Sequence, residues 1–165
     1  PTEELAELGL RLGADVPIFI HGQAAWAEGE GEKLSFCEPD VGPIIVVTPQ
    51  VSVATAQIFG DSELTRDTKA IKMHDFSLEL SHNDCEPVTC RLYPEVADAL
   101  FWLSGYGAAK MSGTGAAVFI CIESDLAAEN VFKVLPKQWK GHCGGRMNQS
   151  PLLSRLHREA MKEKI

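Results

Sequence analysis

The sequence has no long apolar run, no excess of positive charge and no paired cysteines. Of its 165 residues, 45% are hydrophobic and 23% are charged, which is typical of a globular protein. No apolar segment approaches the length of a membrane span. The net charge of -8 argues against nucleic acid or an anionic membrane as the main partner, because phosphate backbones are bound by basic patches. A small phosphorylated ligand is compatible with this charge, since backbone N–H groups can hold it.

Cysteine is scattered rather than clustered, at positions 37, 85, 90, 121 and 143. None forms a Cys-x-x-Cys pair and no Cys/His spacing resembles a zinc site, so the sequence predicts no metal site. Unpaired cysteines favour a reducing, cytoplasmic setting. No signal peptide is present, and the sequence begins at Pro1 without an initiator methionine, so we expect a fragment of a longer protein.

Two domains are predicted, with a boundary in the Pro/Asp/Gly-rich segment 38–43. In the first domain, residues 1–40, the apolar run at 17–20 is interpreted as a short strand after an N-terminal helix. In the second, residues 41–165, a β-branched strand precedes a helical stretch, two strands, a helix and a last strand. The order β-α-β-β-α-β predicts the α+β class, as a ferredoxin-like split β-α-β sandwich.

The segment most suggestive of ligand binding is the turn Ser112-Gly113-Thr114-Gly115 between two predicted strands. Glycines let the backbone curl and let a ligand approach the N–H groups closely, which suits phosphate oxygens. A glycine-rich hairpin without a ligand is the alternative. The turn matches neither a dinucleotide-binding fingerprint nor a Walker A loop, and no Gly-x-Ser-x-Gly elbow supports a hydrolase.

Two further candidates lie elsewhere in the sequence. Asp15 is either a turn residue or a carboxylate that accepts a proton from a bound hydroxyl, and the apparent lack of a helix start after it favours the second role. Thr55, Ala56 and Phe59 follow the first strand of the second domain. An exposed aromatic there could stack on a flat ligand ring, whereas a core position is the alternative for Phe59.

These segments occur in the same order and spacing in one family. "LGADVPIFIHGQAAWAEGEGE", "PQVSVATAQIFGDSEL", "SHNDCEP" and "MSGTGAAVF" resemble the C-terminal part of the 4-diphosphocytidyl-2-C-methyl-D-erythritol kinases, in the GHMP kinase superfamily. The resemblance extends from Leu5 to about Leu156. It implies a GHMP-kinase C-terminal domain preceded by the tail end of the N-terminal, ribosomal S5 domain 2-like kinase domain.

The resemblance also implies a reaction and roles for the candidate residues. ATP, with Mg²⁺, would phosphorylate the 2-hydroxyl of the cytidyl-diphosphate methylerythritol substrate in non-mevalonate isoprenoid synthesis. Asp15 matches the catalytic acid/base, Thr55, Ala56 and Phe59 match the segment that closes over the cytidine, and Ser112 to Gly115 match the loop near the nucleotide phosphates. Small-molecule partners are implied, with neither nucleic acid nor membrane.

This sequence departs from the family pattern at two points. Many members carry proline at the position of Ala56. The family's Pro-x-x-x-Gly-Leu-Gly-Ser-Ser ATP loop and its N-terminal lysine are missing, so we expect this chain alone to be inactive. The alternatives are the C-terminal part of a homoserine- or mevalonate-type kinase of the superfamily and a non-catalytic binding module.

Overall fold

The computed structural model describes residues 2–162. In chain order its helices and strands are α1 (Thr2–Leu10), α2 (Val16–His21), β1 (Ala25–Glu28), β2 (Lys33–Phe36), β3 (Gly42–Thr48), α3 (Thr55–Gly60), α4 (Cys85–Leu92), α5 (Pro94–Ser104), β4 (Lys110–Met111), β5 (Val118–Cys121), α6 (Asp125–Lys133), β6 (Lys140–Arg146) and α7 (Pro151–Lys162), with a 3₁₀ turn at Met73–Asp75. None of the helices among these residues combines the length and apolar character that crossing a bilayer requires.

The chain folds into two compact units. The first contains the residues up to Val41 together with those from Arg146 onwards, and the second contains Gly42–Gly145. The sequence placed all of residues 41–165 in one second domain, whereas the segment after β6 packs in the first unit. There the N–H of Ala24 donates to the carbonyl of Asn148 (2.8 Å) and that of Ser150 donates to Gly22 (2.8 Å). The assignment of the two units to domains of a kinase stays a prediction.

The first unit holds a helical pair and a two-stranded hairpin. Helix α1 packs against α2, and β1 pairs with β2 in antiparallel register from Ala25–Phe36 to Glu28–Lys33. Gly9 allows the two helices to approach closely. A Cβ atom at Gly9 would lie 2.7 Å from side-chain carbons of both Val16 and Ile20, too short for a real contact.

The apolar run after Asp15 forms a helix, so the predicted strand at 17–20 is wrong. Short apolar runs are ambiguous between strand and helix, and the flanking residues decide this one. Asp15 lies at the N-cap position and Pro17 in the first turn, where its missing N–H costs nothing. At the other end Gly22 adopts φ 63° and its N–H donates to the carbonyl of Ile18, as in a helix C-cap.

The second unit is a four-stranded sheet covered by helices. The strand order is β4-β5-β3-β6, with β5 antiparallel to both β3 and β4. In chain order β3, the helices α3 to α5, β4, β5, α6 and β6 alternate as β-α-β-β-α-β. The predicted ferredoxin-like split sandwich is confirmed by this order.

The core of the second unit lies between one sheet face and the helices. Ile45 and Val47 of β3 and Val118 of β5 are fully buried, as the alternation of side chains along a strand requires. On α5, Val96 and Leu103 are also fully buried. These residues are spaced by seven positions, so one helix face packs on the sheet. Met111 of β4 and Val118 of β5, which flank the loop between these strands, belong to this core.

Helix α6 begins with a side-chain cap that yields a stability prediction. Ser124 has extended backbone and its Oγ accepts the N–H of Ala127 at 3.2 Å. Ser124→Ala should lower the free energy of unfolding by about 1 kcal/mol, because one N-terminal N–H loses its acceptor. Ser124→Asp keeps an acceptor and should stay within a few tenths of a kcal/mol, roughly, of the parent. Urea denaturation measures both, and equal losses in the two variants would contradict the cap assignment.

Candidate active site

Two of the segments singled out from the sequence meet in the second unit. Thr55, the first residue of α3, lies with its Oγ1 3.0 Å from the Oγ1 of Thr114 in the loop between β4 and β5. The two residues are 59 positions apart in sequence. A hydrogen bond therefore joins the predicted substrate segment to the predicted phosphate-proximal loop, Ser112–Gly115.

The loop is a tight turn whose ends are tied together. The N–H of Ser112 donates to the carbonyl of Ala117 (2.9 Å), and the N–H of Gly115 donates to the carbonyl of Ser112 (2.9 Å). Ser112 and Gly113 are exposed, whereas Thr114 and Gly115 are half-buried. The turn thus exposes its first two residues to solvent, while its last two residues are only partly accessible.

Both glycines of the loop need their backbone freedom, for different reasons. Gly113 has φ +54°, and a Cβ atom there would meet nothing within 4 Å. Gly115 has φ +91°, and a Cβ atom would lie 3.1 Å from Cγ2 of Thr89 and 3.2 Å from Sδ of Met111. A positive φ favours glycine at both positions, and close packing adds to this at Gly115.

The side chains of Asn83 and Thr89, for which the sequence predicts no functional role, donate hydrogen bonds to backbone carbonyls in and beside the loop. Asn83, just before α4, donates from Nδ2 to the carbonyls of Gly113 (2.7 Å) and Met111 (3.2 Å). Thr89, fully buried on α4, donates from Oγ1 to the carbonyl of Thr114 (3.0 Å). No local sequence pattern indicates that the side chain of Asn83 bonds to Met111, 28 residues away.

Helix α3 presents the remaining predicted substrate residues. Thr55, Ala56 and Phe59 are exposed, and Phe59 exposes 57% of its surface, while Ile58 is fully buried. Of the two alternatives for Phe59, the exposed aromatic therefore holds. Tyr93 fixes the helix, since its hydroxyl donates to Oε1 of Gln57 (2.9 Å) and accepts the N–H of Ala54 (3.2 Å).

Phe59 borders an open cavity of about 530 Å³ in the second unit. Its other lining residues are mostly polar: Leu64, Thr65, Arg66, His82, Asn83, Asp84 and Cys85. Arg66 folds the segment after α3 back on itself, donating to the carbonyls of Phe59 (2.6 Å) and Leu64 (3.0 Å). A flat, polar ring could stack on Phe59 here while its edge meets hydrogen-bonding groups.

Arg91 ties the same segment to α4. Its Nη2 lies 2.8 Å from Oδ2 of Asp61 and its Nε lies 2.9 Å from Oε2 of Glu63. The N–H of Glu63, which donates to Asp61 at 2.9 Å, and then Arg91 hold the pKa of Asp61 below its ordinary value. Both partners stabilise the charged carboxylate.

The ion pair between Arg91 and Asp61 predicts that removing Arg91 changes the pKa of Asp61. Arg91→Ala should raise the pKa of Asp61 without returning it to the ordinary value, because the N–H of Glu63 remains. The stabilisation from Asp61 is present above its unfolded pKa of about 3.9 and disappears as the pH falls through the lower, folded pKa. Carboxyl ¹³C NMR titration measures the shift. Arg91→Lys keeps the charge and should change the pKa less, and an unchanged value in Arg91→Ala would refute the contribution.

Asp15, the predicted proton acceptor, lies in the first unit. It is exposed at the N-cap position of α2, and its side chain makes no cap hydrogen bond there. A helix does begin directly after Asp15, contrary to the prediction, since Val16 is the first residue of α2. The carboxylate is nevertheless not used to cap the helix, so the N-cap position does not by itself explain an acid here.

Gly31 holds the backbone beside Asp15. It adopts φ +110° in the turn between β1 and β2, and a Cβ atom at this position would collide with the carbonyl oxygen of Ala14. Only glycine therefore allows the hairpin turn to come this close to the segment that carries Asp15.

The cysteines form no disulfide among the described residues. All five have free thiols, and burial raises the pKa of the Cys85 and Cys90 thiols, which makes them poor nucleophiles at neutral pH. Among residues 2–162 no three His, Cys, Asp or Glu side chains come together as a metal would require.

Comparison with known proteins finds similarity to one family of kinases. The family model described as "GHMP kinases C terminal" matches residues 68–141. A solved structure, "Crystal structure of 4-(cytidine 5'-diphospho)-2C-methyl-D-erythritol kinase", superposes with a TM-score of 0.68 at 26% identity, over 86% of this chain and 56% of that one. The second unit has the fold of a GHMP kinase C-terminal domain.

The chain is also similar in sequence to curated proteins that share one enzyme name. The chain is 46% identical to the 4-diphosphocytidyl-2-C-methyl-D-erythritol kinase of Mannheimia succiniciproducens, over 96% of this chain and 53% of that protein. It is 47% identical to the enzyme of that name from Shewanella loihica, over 93% and 54%. The resemblance drawn from the sequence is confirmed, and the chain spans about half the length of the curated relatives it matches.

Proposed function

We propose that this chain is the C-terminal part of an ATP-dependent kinase that phosphorylates the 2-hydroxyl of 4-diphosphocytidyl-2-C-methyl-D-erythritol. The observation that carries the proposal is the hydrogen bond between Thr55 and Thr114, 3.0 Å long. It brings the helix predicted to bind the alcohol substrate against the loop predicted to face phosphate. Relatives that are 46% and 47% identical to this chain carry the name of that kinase.

The Ser112–Gly115 loop is the proposed phosphate contact. The carbonyls of residues 111 to 114 all accept hydrogen bonds from within the second unit. Among the described residues, the N–H groups of Gly113 and Thr114 donate to no protein acceptor. Free N–H groups on a glycine-containing turn attract anionic oxygens, and phosphoryl transfer depends mainly on such positioning and charge stabilisation.

Helix α3 and the cavity beside it are the proposed contact for the alcohol substrate. Phe59 offers an exposed ring for the cytosine, and Thr55 offers a hydroxyl beside the loop. Ala56 stands at the exposed position where many family members have proline, so the backbone there is less constrained. The polar groups around the cavity suit the edge of a base rather than an apolar chain.

Asp15 is the proposed catalytic base. An alcohol is a poor nucleophile at neutral pH, so a carboxylate within hydrogen-bond reach of the 2-hydroxyl would accept its proton as the new P–O bond forms. The γ-phosphoryl group then passes from ATP to that oxygen and ADP leaves. Two features of Asp15 are compatible with this role: its side chain is exposed, and its carboxylate forms no cap hydrogen bond with α2.

ATP enters the proposal as a substrate and Mg²⁺ as its usual companion. Because the described residues contain no cluster of metal-binding side chains, we assign no ligand of Mg²⁺ and no step through it to this chain. The ATP loop of the family does not occur in this sequence either. The chain by itself should therefore be inactive, and catalysis should need the rest of the kinase.

The acceptor alcohol is tested with the protein encoded by the complete reading frame that contains these residues. ADP release is measured with the cytidyl substrate, homoserine or mevalonate as the acceptor, each with Mg²⁺ and ATP. We expect turnover with the cytidyl substrate alone. Turnover with homoserine or mevalonate instead would favour another GHMP kinase, and binding of ligand without turnover by any acceptor would favour a non-catalytic module.

A further inference from the structure

The side chain of Asn83 is fully engaged by three backbone groups. Its Oδ1 accepts the N–H of Cys85 (3.0 Å), while its Nδ2 donates to the carbonyls of Met111 and Gly113. This pattern fixes the orientation of the amide, because the oxygen needs a donor and the nitrogen needs acceptors. Aspartate could keep the bond to Cys85, but it has no hydrogens for the two carbonyls.

Thr89, on α4, which begins two residues after Asn83, adds a third donor. Its Oγ1 donates to the carbonyl of Thr114, and its Cγ2 lies beside Gly115. The residue is fully buried, and removing its hydroxyl would take away this donor from the carbonyl of Thr114. Asn83 and Thr89 together form what we term the carbonyl clamp, which binds the loop at residues 111, 113 and 114.

The clamp determines which backbone groups face outwards. In a trans peptide the C=O and the N–H point in opposite directions. Holding the carbonyl of Gly113 towards Asn83 therefore directs the N–H of Thr114 away from Asn83. The carbonyl of Thr114, held by Thr89, directs the N–H of Gly115 the opposite way, towards the carbonyl of Ser112 (2.9 Å), and this hydrogen bond in turn directs the N–H of Gly113 away from Gly115.

We propose that Asn83 and Thr89 are positioning residues, which act through the loop by turning its carbonyls inwards and leaving the N–H groups of Gly113 and Thr114 for phosphate oxygens. The proposal rests on the proposed function for its ligand. A loop free to rotate would present carbonyl oxygens to the same site part of the time, and these repel a polyphosphate. The clamp thus prepares the loop before the nucleotide binds.

Amide hydrogen exchange on the complete kinase, without any ligand, tests the clamp. The variants are Asn83→Asp and Thr89→Val, with Thr89→Ser as the matched control that keeps the hydroxyl. The amides of Ser112 and Gly115 should exchange about tenfold faster in the first two variants, while the control stays at the parent rate. The amides of Val118 and Ile120 report on the sheet and should not change. Asn83→Ala replaces Asn83→Asp if the latter does not fold.

Kinetics of the complete kinase test the role in binding. Asn83→Asp and Thr89→Val should raise the KM for ATP about tenfold. Thr89 does not line the cavity beside Phe59, so Thr89→Val should change the KM for the alcohol substrate less, and Thr89→Ser should keep the parent values. The proposal would be overturned if the variants kept the parent exchange rates in the loop, if Val118 and Ile120 exchanged faster by the same factor, or if the KM for ATP did not change. If the parent protein shows no kinase activity, the proposed function fails, whereas the exchange rates still decide whether the clamp exists.

Discussion

Replacing Asp15 by asparagine in the complete kinase should lower kcat by about 10²–10⁴-fold, the usual effect of losing a general base. Asparagine has nearly the same size and nearly the same preference for an N-cap, so α2 should keep its structure. What the variant loses is the ability to accept a proton. Affinity for the cytidyl substrate should stay close to that of the parent, because the amide still forms hydrogen bonds.

The matched control is Asp40→Asn, which removes another exposed carboxylate from the first unit. It changes the net charge by the same amount and should leave kcat unchanged. Steady-state kinetics and calorimetric binding of the substrate separate the two effects. Full turnover in Asp15→Asn would remove Asp15 from the mechanism, and loss of substrate binding with unchanged kcat would reassign it to binding.

Gly115→Ala should destabilise the protein by roughly 2–4 kcal/mol, adding the cost of a positive φ to that of overpacking. The new methyl group would lie 3.1 Å from Cγ2 of Thr89, a side chain that its own hydrogen bond holds in place. The loop therefore has to shift. We expect nucleotide binding to weaken together with stability, because the shift moves the N–H groups on the same turn.

Gly113→Ala provides the comparison within the same loop. Its φ is also positive, +54°, but the added methyl group would meet nothing within 4 Å. The expected cost is about 1 kcal/mol, from the backbone alone. Urea denaturation of both variants measures the difference. Equal losses would show that packing behind Gly115 contributes nothing.

Much of the second unit was predictable from local patterns. The β-branched run at Ile44–Thr48 and the apolar segments on both sides of the Ser112–Gly115 turn predicted three strands, which the structure contains. Ser124 is of a residue type that favours N-caps, and α6 begins directly after it. These features depend on residues that are close in sequence, and periodicity and capping report such features well.

The errors and omissions have a common physical origin. The run Val16–Ile20 is apolar throughout, so its periodicity could not distinguish strand from helix. The hydrogen bonds of Asn83 and Thr89 cross 25 to 30 residues of sequence, and the one from Thr55 crosses 59. Such contacts are set by the packing of α3 and α4, which no local pattern encodes. The sequence therefore predicted which segments matter but not which side chains hold them.

The central claim is that the Ser112–Gly115 loop faces the phosphates of ATP. The most direct measurement follows the amide resonances of Gly113 and Thr114 in the complete, isotope-labelled protein as ATP with Mg²⁺ is added without acceptor. We predict that these two amides shift on saturation, while that of Val118 in the core does not. Unchanged Gly113 and Thr114 resonances, in a protein that calorimetry shows to be saturated with ATP, would contradict the claim.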